Sequence, residues 1–326
     1  MRVAINGFGR IGRLVFRIGI EKGIQFVAIN DLVDIPALVY LLKYDSVYGR
    51  FKGQLEAGDG FIKVNGKKIL IFSEKHPDKL PWKKLKVDCV VESTGIFRDY
   101  DKAALHLKAG AKRVLISATS NDPDIMVVYG INHRDIRKHD KIIALASCTT
   151  NCLVPIAKVL NDNFGISRGF MTTIHGYTSS QKIVDAPHKK IRRGRAAALN
   201  IIPTTSGATT ATSKIIPELD GRLDGLAMRV PIAVGSVVDF VAELHTKVTR
   251  EQINSIFKKA AEKQLKGILE YSEDELVSSD IIANTHSSIF DSLSTQVMGN
   301  MVKVISWYDN EYGYSHRVID LLGYLK

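Results

Sequence analysis

Cysteine is scarce in this chain. Its 326 residues hold three, Cys89, Cys148 and Cys152. So small and odd a number argues against a disulfide framework and for a reducing compartment, so a cytoplasmic location is expected. Cys148 and Cys152 stand four residues apart, but no further Cys and no close His pair completes a zinc set, so no metal is expected. No run of about 18 apolar residues occurs, and no helical membrane span is expected. A strand-like pattern starts at Arg2, which leaves no room for a signal peptide. Internal repeats and low-complexity linkers are also lacking, which predicts two tightly packed halves with a boundary near Cys148. Acidic residues are outnumbered, 34 against 45 Lys and Arg, for a formal charge of +11. That balance favours phosphates of any kind. The cations are spread along the chain, however, and only Lys189–Arg195 is dense. No zinc-finger or RNP-type pattern accompanies this cluster, so nucleic acid is not expected as the main partner.

What is present is ordinary for a globular protein, with 45% hydrophobic and 24% charged residues over a length sufficient for two domains. Strand, turn and helix signals alternate from the start: Val3–Ile5, a glycine turn, a helix to about Lys22, a strand over Phe26–Ile29, then a helix capped by Asp34. Short runs broken by Asp59-Gly60 and Asn65-Gly66 predict an antiparallel meander over Gly53–Phe72. Strands are expected at 87–92, 114–116, 125–129 and 142–145, with a helix over 102–109. Beyond Cys148 the character changes. A helix after Cys148 is followed by strands at 170–175, 226–230, 237–244 and 302–306, a capping box at Thr249 and Gln252, a closing helix over 312–325, and a long polar loop over 179–200. The expected class is α/β: a Rossmann-type doubly wound dinucleotide-binding domain over 1–147 with the C-terminal helix 311–326, plus an α+β catalytic domain with a mixed or antiparallel sheet over 148–310.

Gly7-Phe8-Gly9-Arg10-Ile11-Gly12 follows a strand and opens a helix. In that context the spacing is a dinucleotide fingerprint. Gly7 permits the tight turn, Gly9 lets backbone approach a pyrophosphate, and Gly12 lets helix pack on strand. Asp31 ends the second strand, where a carboxylate accepts from ribose hydroxyls and repels a 2′-phosphate. Leu32 and Val33 supply no arginine, so NAD is expected over NADP.

Ser147-Cys148-Thr149-Thr150-Asn151 places a thiol at the start of an apolar-periodic helix. Unpaired N–H groups and the positive end of the helix dipole stabilise a thiolate there and can hold an oxyanion. A buried, inert cysteine is the commoner use of the residue, and the segment alone leaves both readings open.

The segments Ala4–Arg13, Ala146–Cys152, Asn200–Thr204 and Ser306–Glu311 together resemble the phosphorylating glyceraldehyde-3-phosphate dehydrogenase family over essentially the whole length. The resemblance implies Cys148 as nucleophile and His175 as its ion-pair partner and general acid or base. It implies a thiohemiacetal oxidised to a thioester, which inorganic phosphate then attacks, in a site at the domain junction. It assigns the substrate phosphate to Thr178 and Arg229, and the attacking phosphate to Ser147, Thr149, Arg193, Ser206 and Gly207. Arg10, Ile11, Lys75 and Ser117 fall at dinucleotide contacts, and Asn310 where the carboxamide of nicotinamide is held. Triose phosphate and inorganic phosphate are the implied small-molecule partners, and a homotetramer the implied assembly. Ser180 stands where Asp is common, and Ala186 before Pro187 where Leu is common in NAD-specific members. Erythrose-4-phosphate dehydrogenase is the alternative, since Asp185–Lys189 and Arg192-Arg193 resemble it as well.

Overall fold

The computed structural model describes residues 1–326, which form two compact units. The first comprises Met1–Val127, Asn132–Ala146 and Ser315–Lys326; the second comprises Val128–Ile131 and Ser147–Tyr314. No helix is long and apolar enough to cross a membrane.

The first unit is a Rossmann-type fold. Its strands are β1 (Arg2–Asn6), β2 (Gln25–Asn30), β3 (Leu55–Gly58), β4 (Phe61–Val64), β5 (Lys67–Phe72), β6 (Cys89–Glu92), β7 (Arg113–Ile116), β8 (Ile125–Met126) and β9 (Ile142–Ala144). They lie in the order β3-β4-β5-β2-β1-β6-β7-β9-β8. All pairs from β5 to β8 are parallel, and the β3-β4-β5 meander is antiparallel. Helix α1 (Arg10–Glu21) buries Leu14, Val15 and Ile18, each contributing roughly 1.5–3 kcal/mol. Helix α2 (Ile35–Lys43) starts as its sequence predicts, with the Asp34 carboxylate accepting from the Ala37 N–H. Helix α3 (Tyr100–Lys108) packs beside β7 and β9. Strand order reverses between β1 and β6, so the crevice for a ligand opens at their C-terminal ends.

The second unit has helices α4 (Cys148–Phe164), α5 (Ala208–Ile215) and α6 (Arg250–Glu262). Its strands are β10 (Ile166–Gly176), β11 (Ile202–Thr205), β12 (Leu223–Val230), β13 (Ser236–Leu244), β14 (Leu269–Ser272), β15 (Ser288–Met298) and β16 (Met301–Tyr308), in the order β11-β12-β10-β13-β16-β15-β14. The sheet is mixed: β10 runs parallel to β12 and β14 to β15, and the other pairs are antiparallel. Side chains alternate across it. Met171, Thr173 and His175 are buried, whereas Phe170 on the opposite face is 68% exposed. Helix α4 packs on β10, β13, β15 and β16. Helix α7 (Tyr312–Tyr324) closes the chain.

Four elements escape the sequence reading. Helix α5 is threonine-rich and a poor helix former; burial and the Thr212 hydroxyl, which donates to the Ala208 carbonyl at 2.8 Å, hold it in place. Strand β15 breaks alternation because Asp291, Ser292 and Thr295 are buried and its register shifts between Asp291 and Gln296. β11 and β14 are four residues each, too short to show a period. The expected strand over 125–129 shrinks to Ile125–Met126.

Candidate active site

The glycine turn and the end of β2 line a cleft of about 510 Å³, together with Asn6, Asn30, Leu32, Glu74, Lys75, Ser93, Thr94, Ile96 and Phe97. Gly7 has φ +90°, and a Cβ there would sit 2.6 Å from the Thr94 nitrogen. A Cβ on Gly12 would lie 2.2 Å from the Gly7 oxygen, whereas Gly9 faces open space. Gly9 caps α1 with no side chain, so the first N–H groups of that helix are presented to the cleft as an anion site. Asp31 Oδ2 accepts from the Phe8 N–H at 2.6 Å and Oδ1 from the Val33 N–H at 3.1 Å. The carboxylate thus fixes the glycine loop, with lone pairs remaining for ribose hydroxyls. An uncapped helix start, an open Gly9 and an acid at the rim fit a dinucleotide. Arg10 turns its guanidinium to Asp45 at 2.6 Å. Lys75 is exposed at the rim. Ser117 donates to the Glu92 carbonyl at 3.1 Å and is not among the lining residues.

In the second unit, Cys148 is the first residue of α4. The Ser147 hydroxyl caps this helix, accepting from the Thr150 N–H at 3.1 Å. The preceding Ala146 is buried in the left-handed region at φ +52°, a conformation that turns the chain sharply into the helix. His175 ends β10 on the helix-covered face, and its Nε2 lies 3.5 Å from Cys148 Sγ. His175 Nδ1 is 2.7 Å from the Gly176 carbonyl. A carbonyl only accepts, so a hydrogen on Nδ1 would be donated there and would leave the Nε2 lone pair to the thiol. The parallel register of β10 and β12 sets Arg229 opposite His175. Arg229 Nη1 donates to the Gly176 carbonyl at 2.9 Å and lies 2.8 Å from His175 Nδ1.

These neighbours set the ionisation. Burial, with the Arg229 charge adding to it, depresses His175 from 6.5 to about 3. Burial pushes Cys148 up; Arg229 and the backbone N–H groups of Cys148 and Thr149 pull it down but do not outweigh desolvation. Both shifts favour the neutral forms, thiol and imidazole. Cys152 is buried, with its pKa pushed up to about 12, which makes it inert.

Ser147 and Thr149 flank Cys148, and the Thr149 hydroxyl pairs with Tyr308 Oη at 2.9 Å. Arg193 donates to the Thr204 hydroxyl at 2.9 Å, and its charge is felt at both His175 and Arg229. Thr178 pairs with the Ser180 hydroxyl at 2.8 Å, and Ser206 with Gly207 leads into α5. Asn310 Oδ1 accepts from the Gly235 N–H at 3.2 Å and the Ser236 hydroxyl at 2.9 Å. Tyr308 is the residue that sequence reasoning missed. Its hydroxyl joins Thr149 to Thr173, and its ring meets the His175 edge at 5.9 Å. The alternation of β16 was the signal, since it puts Tyr308 on the face of Val302 and Val304.

Two family models match. Residues 1–100 fit "Glyceraldehyde 3-phosphate dehydrogenase, NAD binding domain", and residues 147–310 fit its C-terminal domain. The chain belongs to the glyceraldehyde-3-phosphate dehydrogenase family. It is 54% identical to glyceraldehyde-3-phosphate dehydrogenase of Geobacillus stearothermophilus, covering 100% of this chain and 98% of that relative. It is 55% identical to glyceraldehyde-3-phosphate dehydrogenase 1 of Bacillus subtilis over the same shares, and 53% identical to glyceraldehyde-3-phosphate dehydrogenase 2 of Streptomyces avermitilis over 98% and 97%. Membership makes it an NAD-dependent oxidoreductase.

Proposed function

We propose that this chain oxidises and phosphorylates D-glyceraldehyde 3-phosphate to 1,3-bisphosphoglycerate. The observation that carries the reading is Cys148 Sγ at the start of α4, 3.5 Å from His175 Nε2. As sulfur adds to the aldehyde carbon, His175 Nε2 takes the thiol proton and returns it to the new alkoxide, giving a neutral thiohemiacetal. The N–H groups that open α4 hold the oxygen while it carries charge. NAD, held by the Gly7–Gly12 turn and Asp31, would supply the acceptor for the hydride that leaves this carbon. His175 Nε2 removes the hydroxyl proton at the same step, and a thioester remains on Cys148. Attack by inorganic phosphate on the thioester expels the sulfur, which recovers its proton from His175. Thr178 and Arg229 bind the substrate phosphate, drawing the Arg229 charge away from His175. Ser147, Thr149, Arg193, Ser206 and Gly207 bind the attacking phosphate, with Thr149 held by Tyr308.

The dinucleotide belongs to residues 1–147 and 311–326, where Gly7, Gly9, Arg10, Ile11 and Gly12 form the pyrophosphate turn. Asp31 takes the ribose, Lys75 and Ser117 make further dinucleotide contacts, and Asn310 of the catalytic part holds the carboxamide. Exposed Phe170, Leu226 and Met301 on the uncovered sheet support a homotetramer, and three free cysteines fit a cytoplasmic location.

The test is NADH absorbance with glyceraldehyde 3-phosphate and erythrose 4-phosphate, with and without phosphate, and with NAD and NADP in parallel. Phosphate-dependent turnover of the triose with NAD is expected. Phosphate-independent oxidation with the tetrose preferred would assign the chain to erythrose-4-phosphate instead. Mass spectrometry is expected to find the acyl adduct on Cys148; an adduct on another residue would refute the mechanism.

A further inference from the structure

A row of polar side chains runs through the otherwise apolar centre of the first unit. Asn30, Asn6 and Glu92 sit side by side at the C-terminal ends of β2, β1 and β6, each at most 4% exposed. Asn30 donates to Asn6 at 2.7 Å, and Asn6 donates to Glu92 Oε2 at 2.6 Å. At the far end, Trp82 Nε1 donates to His106 Nδ1 at 3.0 Å. An indole N–H only donates, so His106 Nδ1 accepts and its Nε2–H points to Glu92 Oε2 at 3.1 Å. The other carboxylate oxygen, Oε1, accepts from the Thr94 N–H at 2.8 Å and from the Thr94 hydroxyl. At the near end, the Asn30 side chain exchanges two bonds with the Glu74 backbone, both 2.9 Å.

Four donors therefore converge on one carboxylate that solvent does not reach. A buried carboxylate is a costly way to fill a core, and an apolar residue of similar volume would serve stability as well. Its placement suggests another use. Thr94 belongs to the turn that abuts the glycine loop, close enough that a Cβ on Gly7 would strike it, and the Ser93 hydroxyl donates to the Gly7 carbonyl at 2.6 Å. Glu92 thus ties together the two backbone segments that wall the cleft, and through Asn6 and Asn30 it also reaches the Glu74 rim.

We propose that Glu92 is a positioning residue for dinucleotide binding, with His106 and Trp82 as the brace that orients it. This rests on the assignment of NAD to the cleft. The carboxylate is specifically required. A glutamine offers one acceptor and one NH2 group, and at either end that NH2 would face an N–H that cannot reverse: Thr94 N on one side, Asn6 and the locked His106 on the other. The Ser93–Thr94 turn then loses its fixed distance from the glycine loop, and ordering it becomes a cost of binding.

The experiment is calorimetric titration of the full chain with NAD, wild type against Glu92→Gln. About tenfold weaker binding is expected. The KM for NAD should rise in step, with kcat at saturating NAD and the KM for the aldehyde within twofold of wild type. In a Trp307→Phe background the Trp82 indole proton signal should move in Glu92→Gln as its histidine partner reorients. A Glu92→Gln protein that is folded and binds NAD as tightly as wild type overturns the proposal, as does an equal loss in both KM values. If Glu92→Gln does not fold, Thr94→Val decides. It removes the hydroxyl that donates to Glu92 and accepts from the Ile96 N–H at 3.0 Å, and keeps the shape; threefold or more weaker NAD binding is expected, with unchanged affinity the refuting result. A wild-type chain that binds no NAD would instead refute the cleft assignment beneath the proposal.

Discussion

His106 in the first unit and His175 in the second are both buried. His106 has both nitrogens engaged, Nδ1 by Trp82 and Nε2 by Glu92. His175 has Nδ1 between the Gly176 carbonyl and Arg229 Nη1, and turns Nε2 to a sulfur. The first arrangement satisfies an imidazole completely and makes it a strut. The second leaves one lone pair aimed at a nucleophile, beside a guanidinium that opposes protonation. Burial is common to both; what separates brace from base is whether the second nitrogen is closed.

Substituting each histidine tests that division. His175→Asn should lower kcat by roughly 10²–10⁴-fold, read in the NADH assay at saturating substrates, with little change in NAD affinity. It should also change acid stability. Unfolded His175 takes a proton near 6.5, but folded His175 does so only near 3. Between those values the unfolded state binds the extra proton. The contribution is fully present above 6.5 and is lost as pH falls, at up to about 1.4 kcal/mol per pH unit. Urea midpoints from pH 7 to 5 should fall less in His175→Asn than in wild type. An equal fall would show that His175 is not buried neutral.

His106→Ala should give the reverse pattern. It strips a partner from Trp82 and one from Glu92, at about 1–3 kcal/mol for each group left unsatisfied. Stability should drop by a few kcal/mol in urea while kcat at saturating NAD stays within a few fold. A collapse of kcat there would erase the contrast.

Arg229→Leu sharpens the reactive side. Arg229 lowers the pKa of Cys148, so its loss should move the pH profile of Cys148 alkylation by iodoacetamide to higher pH. Loss of a charge-assisted contact to the substrate phosphate should raise the KM for the aldehyde by roughly 10–100-fold. An alkylation profile unmoved by Arg229→Leu would mean that its charge is not felt at the sulfur.

The two units were not equally legible in sequence. Backbone makes the dinucleotide turn, and backbone demands leave local signatures: Gly7 for a positive φ, Gly12 for close packing, Asp31 at a strand end. The nucleophile was legible for the same reason, since its setting is a helix start. The state of that nucleophile was not. Desolvation of Cys148 and the Arg229 contact depend on β10, β12 and α4 coming together from distant parts of the chain, and no local pattern carries that. Tyr308 and Glu92 were overlooked on similar grounds. Each sits in a strand that reads as ordinary core, and its role depends on partners far away in sequence, Thr149 at 159 positions for Tyr308 and Asn6 at 86 for Glu92.

Thr249→Ala should have the smallest effect. The Thr249 hydroxyl accepts from the Gln252 N–H, and the Gln252 side chain accepts from the Thr249 N–H, both visible in sequence as a capping box. Its loss should cost about 1 kcal/mol, read as a lower urea midpoint. Helix α6 also packs on α4, the helix that carries Cys148. If unit-wide rigidity set the reactivity of the sulfur, loosening α6 would slow alkylation. If reactivity is local, it comes from His175, Arg229 and the first N–H groups of α4, none of which α6 supplies. Alkylation rate and kcat should therefore match wild type while stability falls. A slower Cys148 in Thr249→Ala would mean instead that the whole helical layer tunes the thiol.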